Sequence, residues 1–413
     1  MVKMLVTNYA KCYNLKRKVR LMYLFKLFND KEDWHLLKKM SKKELLNKTV
    51  LVRCDFNVPL DEKGNIQSTK RIDATIPTIN FLLNSGCKVI LCSHMGRPQG
   101  KKDKSLSLKC VADYLSFRYP NKVYFCDKLS KKDIDKAKAT AKNGEIVLLE
   151  NLRFDTKEEE NDKEFAGMLA SNVDAFVDEA FATSHRQCAS NNAILDFLPA
   201  YYGLNYLKEI KALTLSDKER PILALLGGAK VSDKITLIDN LIDKVDEIFI
   251  GGALANTFLY AQNYKINPAT VEKDKTEVAL MLIEKCKKAN KKLFLPTDFI
   301  VLNANNEIKY KKLEDLETTD FCYDIGEDTI KKITQLIDKK SGTIFWNGPF
   351  SKTSDERFCA GSKAVAEALA KSNCYTIVGG GDSEGVLKKY NLTNKINFVS
   401  TGGGASLKYI QRG

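Results

Sequence analysis

Residues 222–234 run ILALLGGAKVSDK: five apolar residues from Ile222 to Leu226, then Gly227 and Gly228, then Lys230 and Lys234 at the start of an amphipathic segment, Ser232–Lys244. Five apolar residues without alternation are the pattern of a strand buried on both faces, which is how strands lie in a helix-covered parallel sheet. Glycine directly after the strand lets the backbone approach a ligand closely, and a following helix turns free N–H groups toward an anion. The stretch therefore predicts an α/β protein.

Working outward, the same kind of run recurs along the chain. An N-terminal series is expected at Thr49–Arg53, Lys88–Cys92, Lys122–Cys126, Glu145–Leu149 and Ala175–Asp178. A C-terminal series continues from Ile222–Leu226 through Glu247–Ile250, Leu293–Pro296, Thr343–Trp346, Tyr375–Val378 and Asn397–Ser400. Helical patterns such as Ser232–Lys244 and Thr276–Ala289 supply the crossovers that parallel strands need. A length of 413 residues fits two domains of about 200 residues each. The boundary is expected in 203–221, where a charged helical stretch, Tyr206–Leu215, ends in Asp217-Lys218-Glu219-Arg220-Pro221. The expected organisation is thus a basic extension over 1–39, a first domain over 40–202, a helix and linker over 203–221, and a second domain over 222–413.

Composition narrows the function. The net charge of +14 raises nucleic acid as a partner, yet much of the excess is scattered lysine with no aromatic interleaving and no zinc-finger or RNA-binding motif. Small acidic molecules are the expected partners instead. Eleven cysteines without a C-x-x-C, several of them in apolar runs (Cys54, Cys92, Cys322), read as packed thiols in a reducing compartment. Three histidines, with no H-E-x-x-H, give no zinc site. No apolar run approaches the roughly 20 residues of a membrane span. The first acid is Asp30, after a segment carrying Lys3, Lys11, Lys16, Arg17, Lys18, Arg20 and Lys26. That segment reads as a basic arm or a start upstream of a true Met40, with an organelle-targeting sequence as the alternative.

Ligands of open parallel sheets bind beyond the carboxyl ends of the strands. In the N-terminal series those ends carry Asp55-Phe56-Asn57, Ser93-His94-Met95-Gly96-Arg97, Glu150-Asn151-Leu152-Arg153 and Asp178 through Arg186, while Arg71 opens a helix after a hairpin-like turn at Gly64-Asn65. Arginine's planar fork binds phosphate or carboxylate in a bidentate way, so Arg71, Arg97, Arg153 and Arg186 with His94 and His185 predict a site for a small, multiply charged anion. In the C-terminal series the ends are glycine-rich: Gly227-Gly228, Gly251-Gly252, Asn347-Gly348-Pro349, Gly379-Gly380-Gly381-Asp382-Ser383 and Gly402-Gly403-Gly404. Together they predict a nucleotide cradle. There is no G-x-x-x-x-G-K-[ST], and the dinucleotide fingerprint fails because Glu384 stands where its last glycine belongs. Asp382, directly after three glycines, is suited to hold Mg²⁺ through water beside nucleotide phosphates. Lys230 and Lys234, four residues apart at a helix start, are expected to face the same phosphates.

The pieces RCDFNVPL, KRIDATIPTI, CSHMGRP, LLENLRF, GGAKVSDKI, GGALANTF, LPTDF, WNGP, GGGDS and STGGGAS occur in order from about Lys48 to Ser406. This set resembles the phosphoglycerate kinase family. The resemblance implies two Rossmann-like domains joined by a hinge, and reversible phosphoryl transfer between 1,3-bisphosphoglycerate and ADP giving 3-phosphoglycerate and ATP, in line and after hinge closure. It implies that Asp55, Phe56, Asn57, Arg71, His94, Met95, Gly96, Arg97, Arg153 and Arg186 serve the phosphoglycerate. It likewise implies that Lys230, Lys234, Gly251, Gly252, Gly326, Asn347, Gly380, Gly381, Asp382 and Ser383 serve the nucleotide, with Arg71 and Lys230 at the transferring group. Both nucleophiles, a carboxylate and a phosphate, are already ionised at neutral pH, so no general base is needed. A cytoplasmic monomer using Mg²⁺ and ATP or ADP is expected, with neither nucleic acid nor membrane as partner.

The chain departs from the family at several points. Where the family has G-V-F-E after WNGP, with a ribose-contacting glutamate, this sequence has Ser351 to Ser354, and Asp355 or Glu356 is the candidate substitute. Ala182 and Ala253 replace glycines, Cys188 replaces a histidine, and Asp178-Glu179 replaces Asn-Asp. The chain ends at Gly413, where the family has a longer tail. Weaker nucleotide affinity or slower closure is the expectation. The alternatives are a catalytically idle homologue, opposed by the retained Lys230, Asp382 and arginines, and a nicotinamide dehydrogenase, opposed by the missing fingerprint.

Overall fold

The structure, a computed structural model, describes residues 37–338 and 342–412. The basic extension lies outside the described residues as far as residue 36. The chain divides into two compact units after Ile210.

The first unit is built on a seven-stranded, wholly parallel sheet. Its strands are β1 (Lys38–Lys39), β2 (Thr49–Arg53), β3 (Lys88–Cys92), β4 (Val123–Cys126), β5 (Ile146–Leu149), β6 (Ala175–Asp178) and β7 (Ala200–Tyr202), in the order β1-β7-β6-β2-β3-β5-β4. Successive side chains of a strand point to opposite faces. Val50 and Val52 accordingly join one apolar cluster, with Ile72, Ile79 and Leu82 of the helix Lys70–Leu83, while Leu51 joins another, with Phe165 and Leu169 of the helix Lys163–Ala170. Both faces are thus covered, which is why the strands read as continuous apolar runs. The strand order reverses about β2, whose neighbours are β3 on one side and β6 on the other. The carboxyl ends of β2 and β6 therefore flank a crevice of the kind that takes ligands.

The second unit repeats the plan with six parallel strands: β8 (Ile222–Leu226), β9 (Glu247–Ile250), β10 (Lys292–Phe294), β14 (Thr343–Asn347), β15 (Tyr375–Gly379) and β16 (Phe398–Val399). Their order is β10-β9-β8-β14-β15-β16, so the reversal falls between β8 and β14. Between β10 and β14 the chain makes a separate antiparallel sheet, β12-β11-β13, from β11 (Asp298–Leu302), β12 (Ile308–Lys312) and β13 (Phe321–Ile325). That sheet was not expected, and neither were β1 and β7. The IKYKK of β12 is mostly exposed, so it has no apolar pattern to announce it.

Two expected helices are shorter than their patterns. Ser232–Lys244 narrows to Ile235–Ile242, and Thr276–Ala289 to Thr276–Lys288. The charged stretch near the boundary forms the helix Leu204–Leu213 and a short 3-10 turn, Leu215–Asp217. The helix begins where Glu179 accepts hydrogen bonds from the backbone of Asn205 at 3.1 Å and Tyr206 at 3.4 Å.

Candidate active site

In the first unit, the loop after β2 and the helix Lys70–Leu83 meet through Arg71. Its Nη1 forms an ion pair with Asp55 Oδ2 at 3.0 Å and donates to the Asn57 carbonyl at 3.0 Å. The Asn57 side chain accepts from Gly96 N at 2.9 Å, tying the loop after β2 to the loop after β3. Arg153 then reaches back from the loop after β5, donating to the Gly96 carbonyl at 2.8 Å while its Nε pairs with Glu159 at 3.1 Å. Asn151 fastens the same two loops by accepting from Met95 N and donating to Met95 O at 2.8 Å. Ser93 does so for the first pair, accepting from Phe56 N at 2.9 Å and donating to the Cys54 carbonyl at 2.8 Å.

His94 reports on the convergence of charge. Its imidazole is buried, and it is held well below its ordinary pKa first by that burial and then by Arg53, Arg153, Arg186 and Arg71. Four guanidinium groups from four different segments therefore act on one ring. Arg71 and Arg153 each have an acidic partner, whereas Arg97, which is exposed, and Arg186 make no ion pair among the described residues. Arg186 Nε lies 3.4 Å from His185 Nε2. The cluster keeps a surplus of positive charge where β2, β3, β5 and β6 end. The side chains of Phe56 and Met95 are instead fully buried in the core, so what these two can offer a ligand is backbone.

Sequence reasoning overlooked Arg53. Arg53 is the last residue of β2, inside the strand and not in the loop beyond it. Its position shares the face of Leu51, and its guanidinium is almost wholly buried, 1% exposed. Its Nε donates to Ser190 Oγ at 2.7 Å and its Nη2 lies 3.2 Å from His94 Nδ1. A charged residue closing an otherwise apolar strand was the available signal, since such a group is rarely buried without partners.

In the second unit the glycine loops pack on one another. Gly227 N donates to the Asn347 carbonyl at 2.9 Å, Gly228 N to the Pro349 carbonyl at 3.0 Å, and Leu254 N to the Gly228 carbonyl at 2.8 Å. A Cβ on Gly227 would lie 2.2 Å from the Pro349 carbonyl oxygen, so that approach needs glycine. Ser383 accepts from Gly348 N at 2.7 Å, and Asn347 donates to the Gly379 carbonyl at 2.7 Å, joining the loops after β14 and β15. Gly380, at φ 93°, precedes the helix Gly381–Lys389, whose first turn carries Asp382 on the surface. Gly251 and Gly252 sit against Phe350 and Pro349. Gly326 is buried against Asp298, whose carboxylate also caps the helix Glu327–Asp338 through Asp328 N and Thr329 N, so its glycine has a packing cause of its own.

The two lysines separate, which corrects the expectation of a shared helical face. Residues 227–234 turn irregularly and the helix starts only at Ile235. Lys230 is exposed. Lys234 is buried, and its ammonium donates to the Gly227 carbonyl and to both the carbonyl and side-chain oxygens of Asn347, at 2.9 and 2.6 Å. Burial lowers its pKa to about 8, opposed by Asp382 and Asp233. The influence of Asp382 on Lys234 brings the end of β15 to the same place as the ends of β8 and β14.

Among the described residues no group of three or more His, Cys, Asp or Glu side chains could hold a metal. A lone surface carboxylate such as Asp382 fits Mg²⁺, which keeps several waters and takes its remaining ligands from substrate phosphates. In the altered segment after Pro349, Ser354 is exposed. Asp355 is held to about 2 by hydrogen bonds from Arg357, and Glu356 pairs with Lys389 at 2.6 Å. Both candidate substitutes for a ribose ligand are therefore already engaged. All ten described cysteines are free thiols, and no helix among the described residues is long and apolar enough to cross a membrane.

Two parallel α/β units, one ending its strands in arginine and the other in glycine, define a phosphotransferase-type protein that takes a small polyanion and a nucleotide. The phosphoglycerate kinase family model matches residues 40–412, and the chain belongs to that family. It is similar to the phosphoglycerate kinases of Coprothermobacter proteolyticus (41% identity over 91% of this chain and 96% of that one) and Finegoldia magna (44% over 88% and 94%). Among solved structures it is similar to phosphoglycerate kinase from Coxiella burnetii, with a TM-score of 0.82 and 37% identity over 91% of this chain and 96% of that one. The enzyme from Pyrococcus horikoshii gives a TM-score of 0.76 at 29% identity over the same shares. By its family the chain is a phosphotransferase of glycolysis.

Proposed function

We propose that 3-phosphoglycerate, or its 1,3-bisphosphate, is held by the first unit through Arg71, Arg97, Arg153, Arg186 and His94. Asp55 and Asn57 orient Arg71, and the backbone of Phe56, Met95 and Gly96 completes the pocket wall. The observation that carries this reading is the convergence of Arg53, Arg71, Arg153 and Arg186 on the buried His94 ring, with Arg53 Nη2 3.2 Å from its Nδ1. The nucleotide lies on the second unit, across Gly227–Lys230, Gly251-Gly252, Asn347 and Gly380–Ser383, with Gly326 behind it. Lys230, free in the loop, meets the transferring phosphoryl, while Lys234 holds the loops after β8 and β14 together.

The reaction needs no proton acceptor, because the attacking oxygen is already anionic. The residues' work is orientation and charge: Arg71 is poised by Asp55 to neutralise the equatorial oxygens from the acceptor side, and Lys230 from the nucleotide side. Asp382 would hold Mg²⁺ through water, and the ion when bound neutralises charge on the nucleotide phosphates. The enzyme acts as a monomer in the cytoplasm, a setting supported by its free thiols.

A coupled assay with ATP, Mg²⁺ and 3-phosphoglycerate tests the assignment. Arg71→Ala and Lys230→Ala should each reduce turnover while leaving the fold intact. Activity surviving both substitutions would sink the mechanism.

A further inference from the structure

Arg53 and His94 pose a question of proton placement. A guanidinium carries five N–H donors, has no acceptor and does not lose its proton in proteins. Arg53 Nη2 lies 3.2 Å from His94 Nδ1. At that separation Nδ1 must present its lone pair, for a proton there would be aimed at another N–H.

The guanidinium has little freedom to turn away. Its Nε donates to Ser190 Oγ at 2.7 Å, its Nη1 donates to the Cys54 carbonyl, and Glu158 lies 3.7 Å from Nη2. Ser190 is fixed in turn, donating its hydroxyl to Glu158 Oε1 at 2.6 Å and its N–H to Oε2 at 3.1 Å. Arg53, Glu158 and Ser190 are all buried. Among the described residues no protein group bonds His94 Nε2, and that atom is not one of the enclosed unpartnered ones.

We infer that Arg53 is a positioning residue that locks His94 in its neutral Nε2–H tautomer, making the ring a fixed hydrogen-bond donor to the anionic substrate. The inference rests on the assignment of His94 to the phosphoglycerate site. A protonated imidazole would add one more charge to a cluster already rich in arginine. A neutral donor adds direction without charge and stays the same over the working pH range. The groups acting on His94 agree: Arg53, Arg153, Arg186 and Arg71 all oppose a second positive charge on the ring, as does its burial.

With only three histidines in the chain, ¹⁵N-detected imidazole NMR on the full protein can resolve the ring of interest by comparison with His94→Gln. The wild type should show the Nε2–H tautomer and no titration between about pH 5.5 and 8. An Nδ1–H tautomer, or a His94 that titrates near its ordinary value, would overturn the inference. Arg53→Met removes the donor aimed at Nδ1, so it should admit the Nδ1–H tautomer and raise the His94 pKa, while burial and the other three arginines still hold the ring below its ordinary value. Its KM for 3-phosphoglycerate, divided by that of the wild type, should be about tenfold at pH 8, where the ring no longer presents a fixed donor, and fall as pH is lowered toward the raised pKa, since a protonated ring attracts the anion. The ratio cancels the substrate's own ionisation, and a merely structural Arg53 would leave it flat, which also overturns the inference. Arg53→Lys, which keeps a donor, should restore the wild-type tautomer. Should Arg53→Met not fold, Ser190→Ala loosens the guanidinium and should give the same NMR change in weaker form. Arg71→Ala separates the two levels. An unchanged KM for 3-phosphoglycerate in that variant refutes the site assignment, whereas an altered KM with a titrating wild-type His94 refutes only the role of Arg53.

Discussion

The two units share a parallel sheet with helices on both faces and a strand order that reverses beside the first strand of each site, yet they present opposite kinds of surface there. The first ends β2, β3, β5 and β6 with guanidinium and imidazole groups on loops tied together by Asn57, Asn151 and Ser93 bonds. The second ends β8, β14 and β15 with backbone, packed so tightly that Gly227 has no room for a Cβ. On the assignment proposed above, the difference follows from what each unit would grip. A small polyanion offers little besides charge and is recognised by forked donors. A nucleotide offers a long phosphate chain, along which backbone N–H groups can be laid at close range. On that assignment one architecture yields two sites, by charge in the first and by shape in the second.

The comparison predicts which property each substitution damages. The largest effect belongs to the charges at the transferring group. Arg71→Ala and Lys230→Ala should each cut kcat by roughly 10²–10³-fold, the usual cost of removing one donor to a developing anion, with unfolding midpoints near wild type. Steady-state kinetics beside urea denaturation would show it. A large stability loss in either variant would mean that charge and scaffold are not separable as the comparison holds.

Gly227→Ala should do the reverse. Its new methyl would meet the Pro349 carbonyl oxygen at 2.2 Å and the Gly348 carbonyl oxygen at 2.6 Å, both backbone atoms that cannot swing aside. Overpacking of this kind costs about 3 kcal/mol. Urea unfolding should register it together with a raised nucleotide KM and an unchanged 3-phosphoglycerate affinity measured by calorimetry.

These contrasts also explain what could be read in advance. The β2, β3, β6, β8 and β9 ranges match their apolar runs residue for residue, because both faces of each strand are buried and nothing interrupts the pattern. β7, a three-residue Ala-Tyr-Tyr, and the exposed β12 lack such a run and were invisible. Residues identified by charge, such as Arg71 and Arg153, stand in the arginine cluster. Arg53 was missed because its chemistry sits inside the strand, and the buried polar struts Asn151 and Ser93 announce themselves only through contacts between distant segments. Lys234 shows the converse limit: spacing of four suggested a helical face, but the glycine loop delays the helix and turns that side chain inward.

Lys234 and Lys230 thus give a finer version of the same comparison, within one loop. Lys234→Met removes a buried ammonium that bonds Gly227 and Asn347 and leaves the Gly227 carbonyl and Asn347 Oδ1 without that donor, which should cost about 2 kcal/mol. Lys230→Met should cost almost none, because the side chain is exposed and makes no bond among the described residues. Thermal or urea unfolding of the two variants should differ in this order, while kcat ranks them oppositely. Equal destabilisation would return Lys234 to the role of a second phosphate ligand.

The smallest effect concerns pH and divides the units once more. Burial raises Glu179, in the first unit, from 4.5 to about 8, against bonds from Thr78, Asn205 and Tyr206 that favour its charged form. The folded state then holds a proton that the unfolded state has released, so stability falls as pH rises toward about 8 and levels off above it. Lys234, in the second unit, is lowered to about 8, so its contribution runs the other way and in a later window, with stability gained as pH rises from about 8 toward 10.5. Between about pH 6.5 and 8 the Glu179 slope should therefore prevail, at no more than about 1.4 kcal/mol per pH unit. Glu179→Gln keeps an acceptor for the Thr78 hydroxyl and the helix N-terminus but cannot ionise. It should match the wild type at pH 6.5 and exceed it by about 1 kcal/mol at pH 8. Urea midpoints that fall equally in both proteins over this range would show that Glu179 does not change its protonation on unfolding.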